Sequence, residues 1–163
     1  MTKDYKEKFV DAQEYQDFIA CYHQHEMGLC VGVFGSKKYQ LIGESAAGVE
    51  IKFDGNFRKT GNLYIEIAEK SDPSNPNYTA SGILRDDNTW LWVIGDWDEA
   101  RMIAKNSLVL IYRCPEEYKA KRNIRTTQSD TSIGMLLPIP FVDRNILVKK
   151  IEFEDAYKWQ ART

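Results

Sequence analysis

Val49-Glu50-Ile51-Lys52-Phe53-Asp54, followed after residues 55–61 by Asn62-Leu63-Tyr64-Ile65-Glu66-Ile67, is the stretch whose reading decides the fold. In both runs apolar and polar side chains alternate, and a period of two marks a strand buried on one face. Val49, Ile51 and Phe53 would face a core while Glu50, Lys52 and Asp54 share the opposite face. Leu63, Ile65 and Ile67 divide from Asn62, Tyr64 and Glu66 in the same way. The connecting residues 55–61 carry glycines, an asparagine and the basic Arg58 and Lys59, which suit a turn. A hairpin is the simplest arrangement.

Working outward, residues 11–27 place Tyr15, Phe18, Ile19 and Tyr22 at i, i+3, i+4 and i+7, one face of a helix that Gly28 would end. Residues 29–34 are a valine-rich run that predicts a strand, which residues 39–42 extend or follow. Residues 71–77 are dense in serine, asparagine and proline and predict a surface loop. Residues 90–94 read as a strand, 96–105 as a helix with Asp96, Asp98 and Glu99 at its positive end, and 107–112 as a strand again. Pro115 opens a short charged helix over 115–122, residues 123–132 read as a polar loop, 146–154 as the last strand, and 156–163 as a terminal helical turn. This order predicts an α/β fold with a central mixed sheet flanked by helices, in a single domain over 1–163.

With 163 residues, 43% hydrophobic and 28% charged, the chain has the composition of a globular protein that buries a real core. No run is long and apolar enough to span a membrane, and residues 1–10 lack a secretory pattern, so a cytoplasmic, intracellular protein without a membrane partner is expected. Cys21, Cys30 and Cys114 are odd in number and widely spaced, unlike a disulfide framework or a thiolate zinc site. The net charge of −2 gives no overall attraction for polyanions, so nucleic-acid binding would rest on a local basic strip.

Chemistry concentrates on the hairpin. A turn centred near Arg58 would set Glu50 opposite Glu66, Lys52 opposite Tyr64 and Asp54 opposite Asn62. Like charges facing each other across a sheet cost up to ~1 kcal/mol, and a bound cation would remove that cost. Glu44, just upstream behind Ser45-Ala46-Ala47-Gly48, would bring a further carboxylate. Hard cations such as Mg2+ or Mn2+ take such oxygen ligands and keep several waters. Lys52 beside the ion would stabilise charge on a phosphate or help orient and deprotonate a water. An exposed face that alternates Glu, Lys and Asp merely for solubility fits the spacing equally well.

Gly48-Val49-Glu50-Ile51-Lys52-Phe53-Asp54, then Lys59-Thr60-Gly61-Asn62-Leu63-Tyr64-Ile65-Glu66, then Ser81-Gly82-Ile83 resembles a branch of the PD-(D/E)xK nuclease superfamily, over about a third of the chain. The resemblance implies a restriction-endonuclease-like fold and magnesium-dependent cleavage of nucleic acid, DNA rather than RNA. Glu50 and Lys52 match its second half-motif, and Glu44 the upstream acid, although no Pro-Asp precedes Glu50; Glu66 is the substitute. The implied catalytic set is Glu44, Glu50 and Lys52, and the metal set is Glu44, Glu50 and Glu66. Tyr64, Arg58 and Lys59 are the expected substrate contacts. Many such enzymes act as homodimers, a point the sequence does not decide. Members that have lost catalysis also exist, so the alternative is an inactive nuclease-fold binding module or accessory protein acting through a partner chain.

Other features read more plainly. His23 and His25 lie two apart on a helix, on different faces, and are expected to be structural; Glu26 nearby is an additional candidate acid. Trp90, Trp92 and Trp97, with Tyr64 and Tyr78, could stack on bases of a single-stranded substrate, but most are expected in the core, leaving Tyr64 as the aromatic substrate contact. Basic side chains also cluster at Lys119-Lys121-Arg122-Arg125 and Lys149-Lys150, while Lys37-Lys38 and Arg58-Lys59, which flank the site in sequence, fit phosphate contacts and solvated faces equally. No Gly-rich phosphate loop, GxSxG elbow or Cys-His pairing with an evident partner is present.

Overall fold

The computed structural model describes residues 3–27, 45, 47–114, 123–127 and 130–153. The strands expected at 29–34 and 39–42, the helix at 115–122, the turn at 156–163 and the candidate acid Glu44 lie outside these residues. The chain divides into two compact units, each assembled from separated segments: Met1–Gly55 with Asp87–Met102 and Val148–Thr163, and Asn56–Asp86 with Ile103–Leu147.

In the first unit, helix α1 (Lys3–Met27) packs on a four-stranded sheet of order β1-β4-β5-β8. Its strands are β1 (Val49–Phe53), β4 (Leu91–Gly95), β5 (Glu99–Ala104) and β8 (Leu147–Glu152). β1 runs parallel to β4, with Val49 beside Leu91 and Ile51 beside Val93. β4 and β5 are joined by three residues, a link only antiparallel neighbours can use, so the sheet is mixed. The face toward α1 is apolar because the alternation in β1 is matched in its neighbours. Val49, Ile51, Leu91, Val93, Ala100, Met102 and Ile151 bury against Tyr15, Phe18 and Ile19, the side chains that helical spacing set on one face. Tyr15 stands edge-on to Trp97 at 5.6 Å, and Phe18 edge-on to Phe153 at 4.8 Å. β4 is buried along its whole length, as its apolar run predicts for a strand covered on both faces.

In the second unit, the sheet is antiparallel with order β3-β2-β7-β6: β2 (Asn62–Glu69), β3 (Thr79–Ala80), β6 (Asn123–Thr127) and β7 (Ser132–Pro138). Leu63 and Ile65 lie beside Leu137 and Met135 on the buried face, all four fully enclosed. A bulge at Ile67 interrupts the β2–β7 ladder between Glu66 and Ala68. One-turn helix α2 (Phe57–Thr60) leads into β2 with Phe57 buried, and α4 (Ile139–Asn145) follows β7 with Val142 buried. Helix α3 (Lys105–Arg113) buries Leu108 and Ile111, and a 3-10 turn spans Gly82–Leu84. Residues 71–78 hold no regular element, as their turn formers predict. Among the described residues, no helix is long and apolar enough to cross a membrane.

Four expectations need correcting. The hairpin does not form: β1 pairs with β4 and β2 with β7 and β3, in different sheets, and residues 55–61 contain α2 rather than a bare turn. The helix expected at 96–105 is instead the start of β5, because Asp96 Oδ1 accepts from the backbone N–H of Asp98 and Glu99 and closes a tight turn. Burial on both faces of β5 overrides the helix propensity of Ala100, Arg101 and Met102. The strand expected at 107–112 is α3, since a short apolar run fits either element and here Leu108 and Ile111 repeat at three while Leu110 points to solvent. The polar loop expected at 123–132 begins with edge strand β6, which pairs with β7 over Asn123–Thr127, and the β-branched Ile124, Thr126 and Thr127 favour that extended backbone.

Candidate functional site

β1 turns Glu50 and Lys52 to the face away from α1, where simple alternation would leave them in water. Glu50 is instead 1% exposed, lying beside the equally buried Trp92 of β4. Lys52 Nζ sits 2.7 Å from Glu50 Oε1, while the lysine side chain keeps 35% of its surface. Residues i and i+2 of a strand are about 6.6 Å apart, a gap the lysine stem spans by folding back along the strand. The ammonium also lies 6.0 Å from the Trp92 ring centre, the outer limit of cation–π attraction. A carboxylate removed from water is costly, and an ion pair offsets that cost only with good geometry. The solubility reading therefore fails at Glu50.

Farther along the same sheet Glu99 bridges two cations, with Arg101 Nη1 at 3.0 Å from one carboxylate oxygen and Lys150 Nζ at 2.8 Å from the other. Burial alone would raise the Glu99 pKa, but the hydrogen bonds from Lys150 and Arg101 and their charges outweigh it and hold the carboxyl below its ordinary range. Arg101 is 3% exposed, so this pair too is built into the sheet.

Glu66 has a different setting. Ser81 Oγ donates to Glu66 Oε1 at 2.6 Å and Ser132 Oγ to Oε2 at 3.0 Å, and both serines are buried. The Tyr64 hydroxyl meets Ser132 Oγ at 2.8 Å, and its ring covers Gly134, where a Cβ would collide with it. Gly82 stands at φ +53° against the Glu66 backbone, and the Ser81 N–H donates to Ile67 O at 3.0 Å. Only glycine fits there. Arg85 Nη2 reaches Ser81 Oγ at 3.4 Å, and buried Lys105 donates to Arg85 O at 2.7 Å. The Ser81-Gly82-Ile83 and Ile65-Glu66 segments of the sequence signature are thus one latch that ties the 3-10 turn to β2.

Of the expected site residues, Glu50 and Lys52 come together, and Glu66 and Tyr64 meet through Ser132. Arg58 and Lys59 are exposed on α2. The register that set Glu66 opposite Glu50 is absent, so Glu66 pairs with Gly134 and Glu50 with Trp92. The cross-strand repulsion that argued for a cation between them lapses with it. Among the described residues, no group of three or more His, Cys, Asp or Glu side chains is arranged to hold a metal ion. His23 is fully buried, its ring Nδ1 donating to Ile19 O at 2.7 Å, and burial lowers its pKa.

Sequence reasoning weighed Trp90 as a stacking residue but set it aside for the core. Trp92 is buried and Trp97 packs in the core, but Trp90 is 56% exposed. Its place two residues after the turn formers Asp86-Asp87-Asn88, at the mouth of a strand, was the available signal. No family model matches the chain, and neither the curated proteins nor the solved structures provide a match.

Proposed function

We propose that the chain is a metal-dependent nuclease of the PD-(D/E)xK kind, with a restriction-endonuclease-like core, that hydrolyses phosphodiester bonds in DNA. The observation that carries this reading is the buried Glu50 carboxylate with the Lys52 ammonium at 2.7 Å on the same strand face. A carboxylate and a lysine held in contact at two-residue spacing are the two protein groups such chemistry needs, and a solvated face would not enclose the acid. Glu50 would hold Mg2+ or Mn2+ together with the upstream Glu44, and the bound ion would supply Lewis-acid polarisation of the phosphate. Lys52, a third exposed, can turn its ammonium toward a phosphate and stabilise the charge that develops there. Glu66, with a hydroxyl on each oxygen, is assigned to the latch.

The test is cleavage of supercoiled plasmid and single-stranded circular DNA in Mg2+ or Mn2+. Wild type should nick both, and Glu50→Gln should abolish nicking. Lys52→Ala leaves a buried carboxylate uncompensated, so Lys52→Gln, which retains a hydrogen-bond donor, is the informative partner variant. Full activity in both glutamine variants would sink the proposal. Saturable metal binding without cleavage in wild type would select the alternative, an inactive binding module of the same fold.

A further inference from the structure

Trp90 presents a large indole to solvent although it stands at the entrance to the most deeply buried strand of its unit. A single exposed apolar side chain is ordinary, but this one is fixed in place. Its indole N–H donates to Ala47 O at 2.8 Å, and its backbone N–H donates to Gly48 O at 2.9 Å. The ring lies against Gly48, which has φ +69°; a Cβ there would stand 2.7 Å from Trp90 Cδ1 and 2.5 Å from Asn88 O. The backbone is cleared so that a flat ring can lie across it, with its polar edge satisfied by the protein and over half of its surface in solvent.

The position links the ring to Glu50. Trp90 precedes Trp92 by two residues, and Gly48 precedes Glu50 by two, while Trp92 and Glu50 are partners in the parallel ladder. Two residues along a strand are about 6.6 Å, close to the phosphate-to-phosphate spacing of a nucleic-acid strand. Trp90 stands one residue before β4, so the ring lies two residues upstream of Trp92, the ladder partner of Glu50.

We infer that Trp90 is a stacking platform for an unpaired nucleobase, placed one step from the Glu50–Lys52 pair, so that the favoured substrate is single-stranded or locally splayed. This rests on the nuclease reading above and adds strandedness to it. A π-face accepts any base, so the platform contributes affinity without sequence preference.

Fluorescence anisotropy with a short labelled oligothymidylate, in EDTA so that no cleavage intervenes, tests it on the full chain. Trp90→Ala should weaken binding by roughly five- to 150-fold, the range measured for loss of one stacked base. Trp90→Phe, which keeps a flat ring, should lose much less, and it carries the test if the alanine variant melts earlier than wild type. An abasic strand of the same length should bind weakly and respond to neither change. Equal binding of oligothymidylate by wild type and both variants overturns the platform and leaves the nuclease reading intact. Failure of wild type to bind any DNA overturns the platform, and the nuclease reading then stands or falls by the cleavage assay in Mg2+ or Mn2+.

Discussion

β1 and β2 carry the same written pattern, and the protein uses their acids in different ways. Glu50 on β1 is enclosed, with the Lys52 ammonium 2.7 Å away, whereas Glu66 on β2 accepts two serine hydroxyls and keeps some surface. A carboxylate compensated by a mobile cation at the edge of solvent can exchange that cation for another. One satisfied by neutral hydroxyls on a latch serves the fold. The lesson is that alternation locates a polar face but not the counter-charge on it, which depends on which strands become neighbours.

The largest expected effect separates the two acids directly. If Glu50 is a metal ligand, Mg2+ at a hundred times its Kd should stabilise wild type by about 2.7 kcal/mol. Thermal melting should show the same rise in Glu66→Gln and none in Glu50→Gln. A rise that disappears with Glu66 instead would invert the assignment.

Lys52→Ala comes next. A lysine on an open sheet face would cost nothing, and the sequence alone predicts an intact fold for this variant. With Glu50 buried beside it, the loss should be about 2 kcal/mol, less than for a fully enclosed pair because the ammonium is partly solvated. Urea unfolding measures it, and adding Glu50→Gln to the alanine variant should return part of the loss. Glu66→Gln should cost less, about 1 kcal/mol, since the serine hydroxyls can rotate to meet the amide. Equal losses from Lys52→Ala and Glu66→Gln would erase the distinction between pair and latch.

Much of the fold was legible where one interaction decides it. The α1 face, the apolar sides of β1 and β2 and the doubly buried β4 all follow from residue spacing, because burial on a core is what spacing records. The exchange of helix and strand over 96–112 was not legible, since Asp96 closes a turn with the same side-chain chemistry that caps a helix. Pairing was not legible either. Parallel contact between β1 and β4 joins residues about forty apart and leaves no local trace. Of the site, the Glu50–Lys52 contact was readable from two-residue spacing, while the burial of Glu50, the hydroxyl partners of Glu66 and the exposure of Trp90 all depend on those distant neighbours.

The smallest effect distinguishes the two units by pH. His23 lies in the unit that carries Glu50, wholly buried, and burial lowers its pKa; the Lys149 charge acts in the same sense, and the bond to Ile19 O opposes both. The unfolded imidazole takes its proton near pH ~6.5, before the folded one does. Across that interval the unfolded state holds more protons, so stability falls as the pH drops below ~6.5 and continues falling to the folded pKa. Hydrogen exchange should record this loss on the amides of α1 and β1, and His23→Gln, which does not titrate, should flatten the profile there. If the amides of β2 and β7 lose protection over the same interval, and lose it equally in His23→Gln, then mild acid acts through another group and this mark of the Glu50 unit is lost.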